Sequence, residues 1–422
     1  MSSLTDELTG LLSRKVFYDE AGDKLKITEN LAVIWLNLDN FKMFNERFGF
    51  ETGDELLREI SEIIGCVFRE SITSRFSDDN FVILTDWANA EINTEILQEE
   101  LNASHSDASL RLRAGIYFPS SNEDIRSSCD RAKLACDSIR KNHSVNLCMF
   151  HEGMSRKLEL QQYILDTLDT AMNQHRIHVL YQPIVRLSTG KICETEALTR
   201  WNDPNKGAIS PAAFIPTLEQ YREIQKLDIH ALRQVCNDYH ERIQKGLPVV
   251  PVSVNLSRLD FELCNIFQEV ERSVVMNEIS RDMIRIEITE SVSDDDAAVL
   301  NLGIEKFRAM GYQVWMDDFG SGYSSLNVLK DYNFDTIKFD MKFLNGFDIN
   351  KSEKAKYIIS SNLSMARLMG MQALAEGVET SEQLEYLQSI GFDKAQGYYF
   401  GRPMKLDEIF TLGRETEDIK IL

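Results

Sequence analysis

The sequence predicts an α/β protein of two domains, the second of which is a modified (β/α)8 barrel. With 422 residues the chain exceeds a single typical domain, and its 43% hydrophobic content is enough for two cores. Helical stretches alternate with eight short apolar runs at 178–185, 192–201, 249–257, 284–290, 313–319, 336–340, 372–378 and 394–400. Such alternation predicts a parallel sheet, and a closed β/α barrel requires eight strands.

The first connection of this predicted barrel departs from the β/α pattern. The stretch between Val185 and Ile192 is too short to hold a crossover helix. The first two strands are therefore expected to pair antiparallel. The longest predicted helical segment of the barrel is 212–244, and others are expected at 297–310, 354–370 and 381–390.

The first 150 residues predict a smaller mixed α/β domain. Strands are expected at 32–38, 74–86 and 111–118, with a hairpin turn at 77–80, and helices at 54–68 and 129–141. Few Gly, Ser or Pro residues occur around 151–170, so this stretch predicts a helical join and not a flexible linker. The expected organisation is a first domain at 1–150, a connector at 151–174 and the barrel at 175–415.

The charge balance excludes several classes of partner. Lys and Arg number 46 against 67 Asp and Glu, a net charge of −21, which argues against a nucleic-acid polymer or an anionic membrane surface. The apolar runs are too short to cross a bilayer, so we expect no membrane segment in this chain. Seven cysteines without ligand-like spacing favour reduced thiols and a cytoplasmic protein.

Polar residues stand at or near the ends of successive barrel strands. The carboxyl ends of barrel strands gather on one face, so these side chains are expected to meet there as ligands for hard divalent cations. A lone Glu at a strand end is most often solvated, and a lone Asp-Asp pair is most often a turn or a cap. Their repetition along the barrel favours a metal site made by Glu196, Asn255, Glu287, Asp317, Asp318 and Glu376, with Lys338 among them.

Eight short motifs in this half of the chain carry a family resemblance. They resemble the EAL phosphodiesterases, which open cyclic di-GMP to linear pGpG with two divalent cations on a modified β/α barrel. The resemblance covers roughly residues 175–412. Its motifs are YQPIV at 181–185, EALTRW at 196–201, VNLS at 254–257, IEITES at 286–291, DDFGSGYSSL at 317–326, IKFD at 337–340, AEGVET at 375–380 and QGYYFGRP at 396–403.

The resemblance implies a role for each matched residue. Glu196, Asn255, Glu287 and Asp317 match metal ligands, and Asp318 and Glu376 complete the surroundings of the second cation, with Mg or Mn expected. Lys338 matches the lysine that orients or activates the attacking water. The substrate-binding residues of the family are matched by Gln182, Arg200 and Asp340. Gln396 matches a residue near the metal-bound water. The residues that support a loop are matched by Glu290, Glu379 and Gly320.

The first domain resembles the GGDEF diguanylate cyclases through 6–17, 37–57 and 75–81. Its departures from that family concern the chemistry. Asn37 and Asn80 stand where the family has acidic metal ligands, and Asp137 replaces a lysine that contacts the triphosphate, although Lys141 offers a second basic contact. Both glycines of the signature loop are also replaced. Cyclase activity is therefore not expected.

A guanine-nucleotide site is a separate expectation for the first domain. By resemblance, Asn45 and Asp54 match residues that read the guanine base, so GTP is a possible ligand that would raise turnover in the barrel. The alternative is that Asp54 caps a helix and Asn45 lies in a loop.

The leading hypothesis is a metal-dependent cyclic di-GMP phosphodiesterase whose inactive cyclase-like domain serves regulation or dimerisation. A homodimer is implied by the family resemblance alone. A non-hydrolysing cyclic di-GMP receptor is the alternative, and a barrel acting on another phosphodiester is a third. The complete set of predicted ligands favours the enzyme.

Overall fold

The chain divides into two units, Met1–Gln162 and Tyr163–Leu422. The computed structural model describes residues 4–104, 110–140, 142–289, 297–319, 332–340, 353–415 and 420–421. Lys141, Glu290 and Gly320, which were assigned roles from the sequence, lie outside these ranges.

The first unit is built on a six-stranded sheet in the order β1-β3-β4-β2-β5-β6. The pairs β1/β3 and β5/β6 are parallel, and the others are antiparallel. The predicted hairpin is confirmed as β3 and β4. The strands are β1 Leu12–Ser13, β2 Leu31–Leu38, β3 Ile72–Ser77, β4 Asn80–Asp86, β5 Leu112–Tyr117 and β6 Leu147–Met149.

Helices cover both faces of this sheet because its central strand alternates between two cores. Ile34 and Leu36 of β2 belong to a core with α3 and α4, whereas Val33 and Trp35 belong to a second core with α1 and α5. Gly115 lets α5 approach β5, since a Cβ there would lie 2.0 Å from the Ala132 carbonyl oxygen. The helices are α1 Arg14–Ile27, α2 Phe41–Phe48, α3 Phe50–Val67, α4 Trp87–Ser104 and α5 Ile125–Ser138.

A long helix, α6, follows at Glu152–Asn173 and crosses the boundary between the two units. Ile164, Leu168 and Ala171 are its buried residues, spaced three and four apart as on one helical face.

The second unit contains a closed barrel of eight strands, which confirms the predicted fold class. The circle closes because β10 pairs with both β8 and β11, and the antiparallel first pair is β7 with β8. Strand β15 also meets β7 antiparallel, so β7 is the one reversed strand of the circle. The barrel strands are β7 Ile177–Arg186, β8 Lys191–Asp203, β10 Val252–Leu256, β11 Ile284–Thr289, β12 Gln313–Phe319, β13 Thr336–Phe339, β14 Gln372–Ala375 and β15 Lys394–Gln396.

Outward-facing strand residues pack against the helices around the barrel. Ile286 and Ile288 of β11, for example, share a core with Val270 and Phe307 on two of these helices. Short strands β9 Gly207–Ile209 and β16 Lys420–Ile421 pair with β8, and a 3-10 turn occupies Arg281–Met283. The helices are α7 Pro211–Gln220, α8 Ile224–Gln244, α9 Asp260–Leu263, α10 Ile266–Met276, α11 Ala297–Ala309, α12 Glu353–Leu368, α13 Ser381–Ile390 and α14 Leu406–Glu415.

Two sequence predictions about the barrel need correction. The segment 212–244 forms two helices, α7 and α8, because the chain turns between them at Arg222, whose φ is +58°. The run 394–400 is a strand over Lys394–Gln396 alone, because the chain then turns and the backbone N–H groups of Phe400 and Gly401 donate to the Gly397 carbonyl oxygen at 3.1 and 3.2 Å. Across the described ranges, no helix has the length and apolar character needed to cross a membrane.

Candidate active site

A buried lysine surrounded by four carboxylates forms the centre of the site. Lys338 Nζ lies 2.8 Å from Glu287, 2.9 Å from Asp317, 2.9 Å from Glu376 and 3.3 Å from Glu196. Its side chain is 1% exposed. The five side chains come from five different strands or strand ends, so the barrel brings together residues that are up to 180 positions apart in sequence.

Strand register places these side chains at one level of the barrel. Asn255 of β10 pairs with Glu287 of β11, and Gln182 of β7 pairs with Glu196 of β8. Glu287 points inward because its neighbours on β11, Ile286 and Ile288, pack outward. The predicted face of the barrel therefore carries the polar cluster.

Amide side chains connect the carboxylates. Asn255 Nδ2 donates to Glu196 Oε1 at 3.2 Å, and Gln396 Nε2 donates to the other oxygen of Glu196. Gln396 Nε2 also donates to Gln182 Oε1 at 3.0 Å, while Gln182 Nε2 donates to the Gly401 carbonyl oxygen at 3.0 Å. Each amide thus holds Glu196 in place directly or through one intermediate residue.

The cluster carries more negative than positive charge. Burial raises the pKa of Glu287 well above its usual range, and burial, only partly offset by Lys338, raises the pKa of Glu376 to about 8. Burial also acts against the charge of Glu196, but Lys338 and the bonds from Gln396 and Asn255 outweigh it and lower the pKa of Glu196. For Lys338, burial is outweighed by the four carboxylates, which raise its pKa well above normal. One ammonium does not balance four carboxylates, which favours additional cations here.

The donor set fits divalent cations. Ligand oxygens of Asp317, Asp318 and Glu376 all lie within 4.8 Å of one another. Glu287 Oε1 and Gln396 Oε1 are buried and accept no hydrogen bond from any described residue. Carboxylate and amide oxygens with unused lone pairs are ligands that hard cations prefer.

A cavity of about 440 Å³ opens over this cluster. Its lining includes seven residues that the sequence assigns to the site: Gln182, Glu196, Asp317, Asp318, Lys338, Glu376 and Gln396. Asp340 and Glu379, assigned to substrate binding and loop support, line it as well. Asn255 and Glu287 lie deeper and contact the lining residues Glu196 and Lys338.

Two protein-family models match this chain. The EAL domain matches residues 165–403, and the diguanylate cyclase GGDEF domain matches residues 3–145. The chain belongs to the EAL family. Its GGDEF domain precedes its EAL domain, as in the tandem proteins that it resembles.

Three curated relatives are similar to nearly the whole chain. The cyclic di-GMP phosphodiesterase NbdA of Pseudomonas aeruginosa is 29% identical over 95% of this chain and 53% of its own length. The bifunctional diguanylate cyclase/cyclic di-GMP phosphodiesterase MucR of the same organism is 29% identical over 96% of this chain and 61% of its own. The phosphodiesterase PdeR of Escherichia coli is 29% identical over 95% and 62% respectively. This chain therefore spans little more than half the length of these relatives.

Solved structures resemble both parts of the chain. A MucR phosphodiesterase in complex with cyclic di-GMP is 30% identical, with a TM-score of 0.54, over 58% of this chain and 99% of that one. The GGDEF-EAL portion of Vibrio cholerae LapD, bound to cyclic di-GMP, covers 94% of this chain and 95% of its own. Its 18% identity and TM-score of 0.55 support the fold alone.

Some EAL positions assigned from the sequence have other surroundings. Arg200 is half-buried on β8, and its guanidinium donates to the Thr199 carbonyl oxygen at 2.8 Å. Burial lowers the pKa of Arg200. Glu290 and Gly320 lie outside the described residues, so the predicted anchoring of the loop after Asp317 remains a prediction.

Sequence reasoning missed Tyr398, which lines the cavity and is 51% exposed as a residue. The guanidinium of Arg402 lies 4.1 Å from the ring centroid. Gly397 lets this segment pack closely, because a Cβ there would lie 2.1 Å from the Val378 carbonyl oxygen. An aromatic residue two positions after a strand that ends in a site residue was the available signal.

In the GGDEF domain, amides and an arginine surround Asn37 and Asn80, the two positions that the resemblance matches to metal ligands. Asn37 Nδ2 donates to Asp79 at 3.0 Å and to Asn80 at 3.1 Å. The guanidinium of Arg113, 3% exposed, donates to Asn37 and forms an ion pair with Asp39. Strand pairing requires this arrangement, since Asn37 of β2 pairs with Asn80 of β4 on one side and with Arg113 of β5 on the other.

The two residues predicted to read guanine both lie within helices. Asn45 is in α2 and Asp54 is in α3, so neither the helix cap at Asp54 nor the loop position of Asn45 was correct. The Oδ1 atom of Asn45 is buried, and a Cβ at Gly53 would lie 1.8 Å from it. Asp54 is exposed. The two helices meet at this point.

Proposed function

We propose that the EAL domain hydrolyses cyclic di-GMP to linear 5′-pGpG with the help of two divalent cations, Mg or Mn. The arrangement that carries this proposal is the buried lysine within hydrogen-bonding or ion-pairing distance of four carboxylates, beneath an open cavity. An excess of carboxylates at the end of a barrel is suited to holding cations against a phosphodiester.

Six residues would hold the cations: Glu196, Asn255, Glu287, Asp317, Asp318 and Glu376. Bound divalent cations would supply Lewis-acid stabilisation of the phosphate and a lowered pKa for a bound water. The amides of Asn255 and Gln396 fix Glu196 through its two oxygens, so its orientation is set before a ligand arrives. Such preorganisation reduces the rearrangement needed during the reaction.

Lys338 would orient the attacking water and offset negative charge that develops at phosphorus. Its ammonium lies within 2.9 Å of Glu287, Asp317 and Glu376. These contacts keep the ammonium in place when the water reacts. In the reaction a water oxygen forms a bond to phosphorus and the bond from phosphorus to the 3′ oxygen breaks. The attacking water gives up one proton, the electron pair of the broken bond leaves with the 3′ oxygen, and that oxygen takes up one proton.

Residues around the cavity would hold the dinucleotide. Gln182 and Asp340 line it, and Arg200 follows Glu196 on the same strand with a planar fork suited to a phosphate oxygen. Tyr398 adds an exposed ring on which a guanine base can stack. Glu379 lines the same cavity. Together with Glu290 and Gly320, it would support the loop after Asp317.

The GGDEF domain is proposed to lack cyclase activity and to serve regulation or dimerisation. Its Asn37 and Asn80 offer no carboxylate, and the guanidinium of Arg113 is already paired with Asp39 there. A second cation beside this guanidinium would be repelled. The proposal also includes a homodimer, GTP binding at Asn45 and Asp54, and a cytoplasmic setting. Its domain limits are 1–150, 151–174 and 175–415.

Calorimetry combined with product analysis tests the barrel proposal against the receptor alternative. The 422-residue chain should bind cyclic di-GMP in the presence of Ca²⁺ or Mn²⁺ and convert it to pGpG with Mn²⁺. Chelation and Glu196→Ala should each abolish conversion. Binding without conversion in both Mg²⁺ and Mn²⁺ would reverse the proposal in favour of a receptor.

A further inference from the structure

A buried ion triad lies inside the barrel, one layer away from the candidate metal site. Glu194 is 4% exposed, Arg285 is 7% exposed and Lys394 is 1% exposed. Lys394 Nζ is 2.6 Å from one carboxylate oxygen of Glu194, and Arg285 Nε is 3.3 Å from the other. The ammonium of Lys394 also lies 4.7 Å from the ring centroid of Trp315, and Arg285 donates to the Asp282 carbonyl oxygen. Both buried cations therefore have electrostatic partners.

The triad connects strands that share no backbone hydrogen bonds. Glu194 is on β8, Arg285 on β11 and Lys394 on β15. Strand β10 lies between β8 and β11, and strand β7 lies between β8 and β15. One carboxylate thus joins both sides of a five-strand arc of the barrel.

Each member of the triad stands two residues before a residue of the candidate site on the same strand. Those site residues are Glu196, Glu287 and Gln396, respectively. Residues two apart on a strand point to the same side and are separated by roughly 6.6 Å. A shift of one strand relative to another at the triad would therefore displace a site residue by a similar distance.

Stability alone is a poor account of this triad. Removing charges from water is unfavourable, and buried ion pairs can often be replaced by apolar side chains without loss of stability. Their better attested effect is to specify one arrangement over others. The same three strands also meet in the site itself, where Gln396 donates to Glu196 and Lys338 contacts both Glu196 and Glu287.

We propose that the Glu194–Arg285–Lys394 triad is a positioning device that sets the spacing of Glu196, Glu287 and Gln396 and thereby the affinity for divalent cations. This inference rests on the proposed metal site. None of its three residues lines the cavity over the candidate site, so we treat them as positioning residues.

The direction of the effect separates positioning from simple charge. Two cations face one carboxylate, so the triad carries one excess positive charge close to the site. If the triad acted through charge alone, its removal would strengthen the binding of a divalent cation. If it acts through position, its removal weakens binding because the ligands lose their mutual spacing.

The test measures Mn²⁺ binding to the 422-residue chain by calorimetry, without cyclic di-GMP. The variant Glu194→Leu/Arg285→Met/Lys394→Met removes all three charges together, so no buried charge is left unpaired. We expect Mn²⁺ affinity to fall about tenfold or more, as for other residues that orient metal ligands. The control Arg233→Met/Glu269→Met removes an exposed ion pair between α8 and α10, 2.7 Å in length, and should leave the affinity unchanged.

Three results are decisive. Weaker Mn²⁺ binding in a triad variant that melts within a few degrees of the unaltered protein supports positioning. Unchanged or tighter binding overturns it. If the triple variant does not fold, Glu194→Asp keeps every charge but shortens the link, and the same two outcomes apply to it. Failure of the unaltered protein to bind Mn²⁺ would instead reject the proposed function itself.

Discussion

The two domains each bury a cationic side chain among polar residues, but the balance of charge differs. In the EAL barrel, the single ammonium of Lys338 faces four carboxylates. In the GGDEF domain, the guanidinium of Arg113 faces Asp39 and Asn37, and a second arginine, Arg111, also pairs with Asp39. The first cluster is left with excess negative charge, whereas the second is neutralised from within the chain.

A polar cluster is therefore not in itself a metal site. What matters is whether the chain's own cations already satisfy the carboxylates. The barrel leaves Glu287 Oε1 without a donor among the described residues, while in the GGDEF domain Asn37 uses both its oxygen and its nitrogen. We therefore propose that the chemistry takes place in the EAL half.

The largest expected effect is on catalysis in the barrel. Lys338→Met removes the ammonium that would orient water, so hydrolysis of cyclic di-GMP should fall about 100- to 1000-fold at saturating Mn²⁺. The matched control is Lys245→Met, an exposed lysine paired with Glu241 at 3.3 Å. Initial rates of pGpG formation, measured by chromatography, check the prediction. A loss of less than threefold in Lys338→Met would remove this lysine from the mechanism.

A second effect should appear in the stability of the GGDEF domain. Arg113→Met leaves Asp39, which is 10% exposed, with Arg111 as its remaining cation. Breaking a buried pair typically costs ~3–5 kcal/mol, and because Arg111 stays we expect about 2 kcal/mol. Scanning calorimetry should show a lower melting temperature for the GGDEF domain, and the hydrolysis rate should be unchanged. Equal stability of variant and parent would mean that Arg113 is not needed to neutralise this site.

Fold and site were predictable from the sequence to different depths. The barrel followed from eight spaced apolar runs, and its reversed strand followed from one connection too short for a helix. Helix 381–390 was predicted with its correct ends, and the structure shows a capping box of Thr380 and Gln383 at its start. The break at Arg222 had no comparable signal, since an arginine rarely marks a positive φ.

Contacts between distant strands were beyond sequence reasoning. Arg113 stands in a strand that is otherwise apolar, and its partners Asn37 and Asp39 lie more than seventy positions away. The charged positions Glu194 and Lys394 likewise gain meaning only when β8 and β15 lie inside one barrel. A charged residue in the middle of a buried strand was the signal, and it does not reveal the partner.

A smaller effect would sharpen the comparison by restoring one missing carboxylate. Asn37→Asp places a negative charge beside Asp79, whose pKa is already raised by burial. We expect the GGDEF domain to lose about 1 kcal/mol of stability, and millimolar Mn²⁺ to recover part of it. Asn122→Asp, an exposed substitution in a turn of the same domain, is the control. If Mn²⁺ raises the stability of both variants equally, the proposed difference between the two domains is weakened.

The smallest effect concerns GTP. Asn45 and Asp54 lie on α2 and α3, and a ligand bound there would add to the stability of the GGDEF domain by mass action. Saturating GTP should raise its melting temperature and increase the turnover of cyclic di-GMP, and Asp54→Ala should remove both responses. If GTP changes neither quantity in the unaltered protein, the regulatory hypothesis fails.

The division of chemistry between the two domains can be tested most directly with one purified sample of the full chain. The protein is incubated with Mn²⁺ and either cyclic di-GMP or GTP, and the products are separated by chromatography. We predict pGpG from the first substrate and no cyclic di-GMP from the second. Formation of cyclic di-GMP from GTP, or intact cyclic di-GMP in the first reaction, would contradict the account.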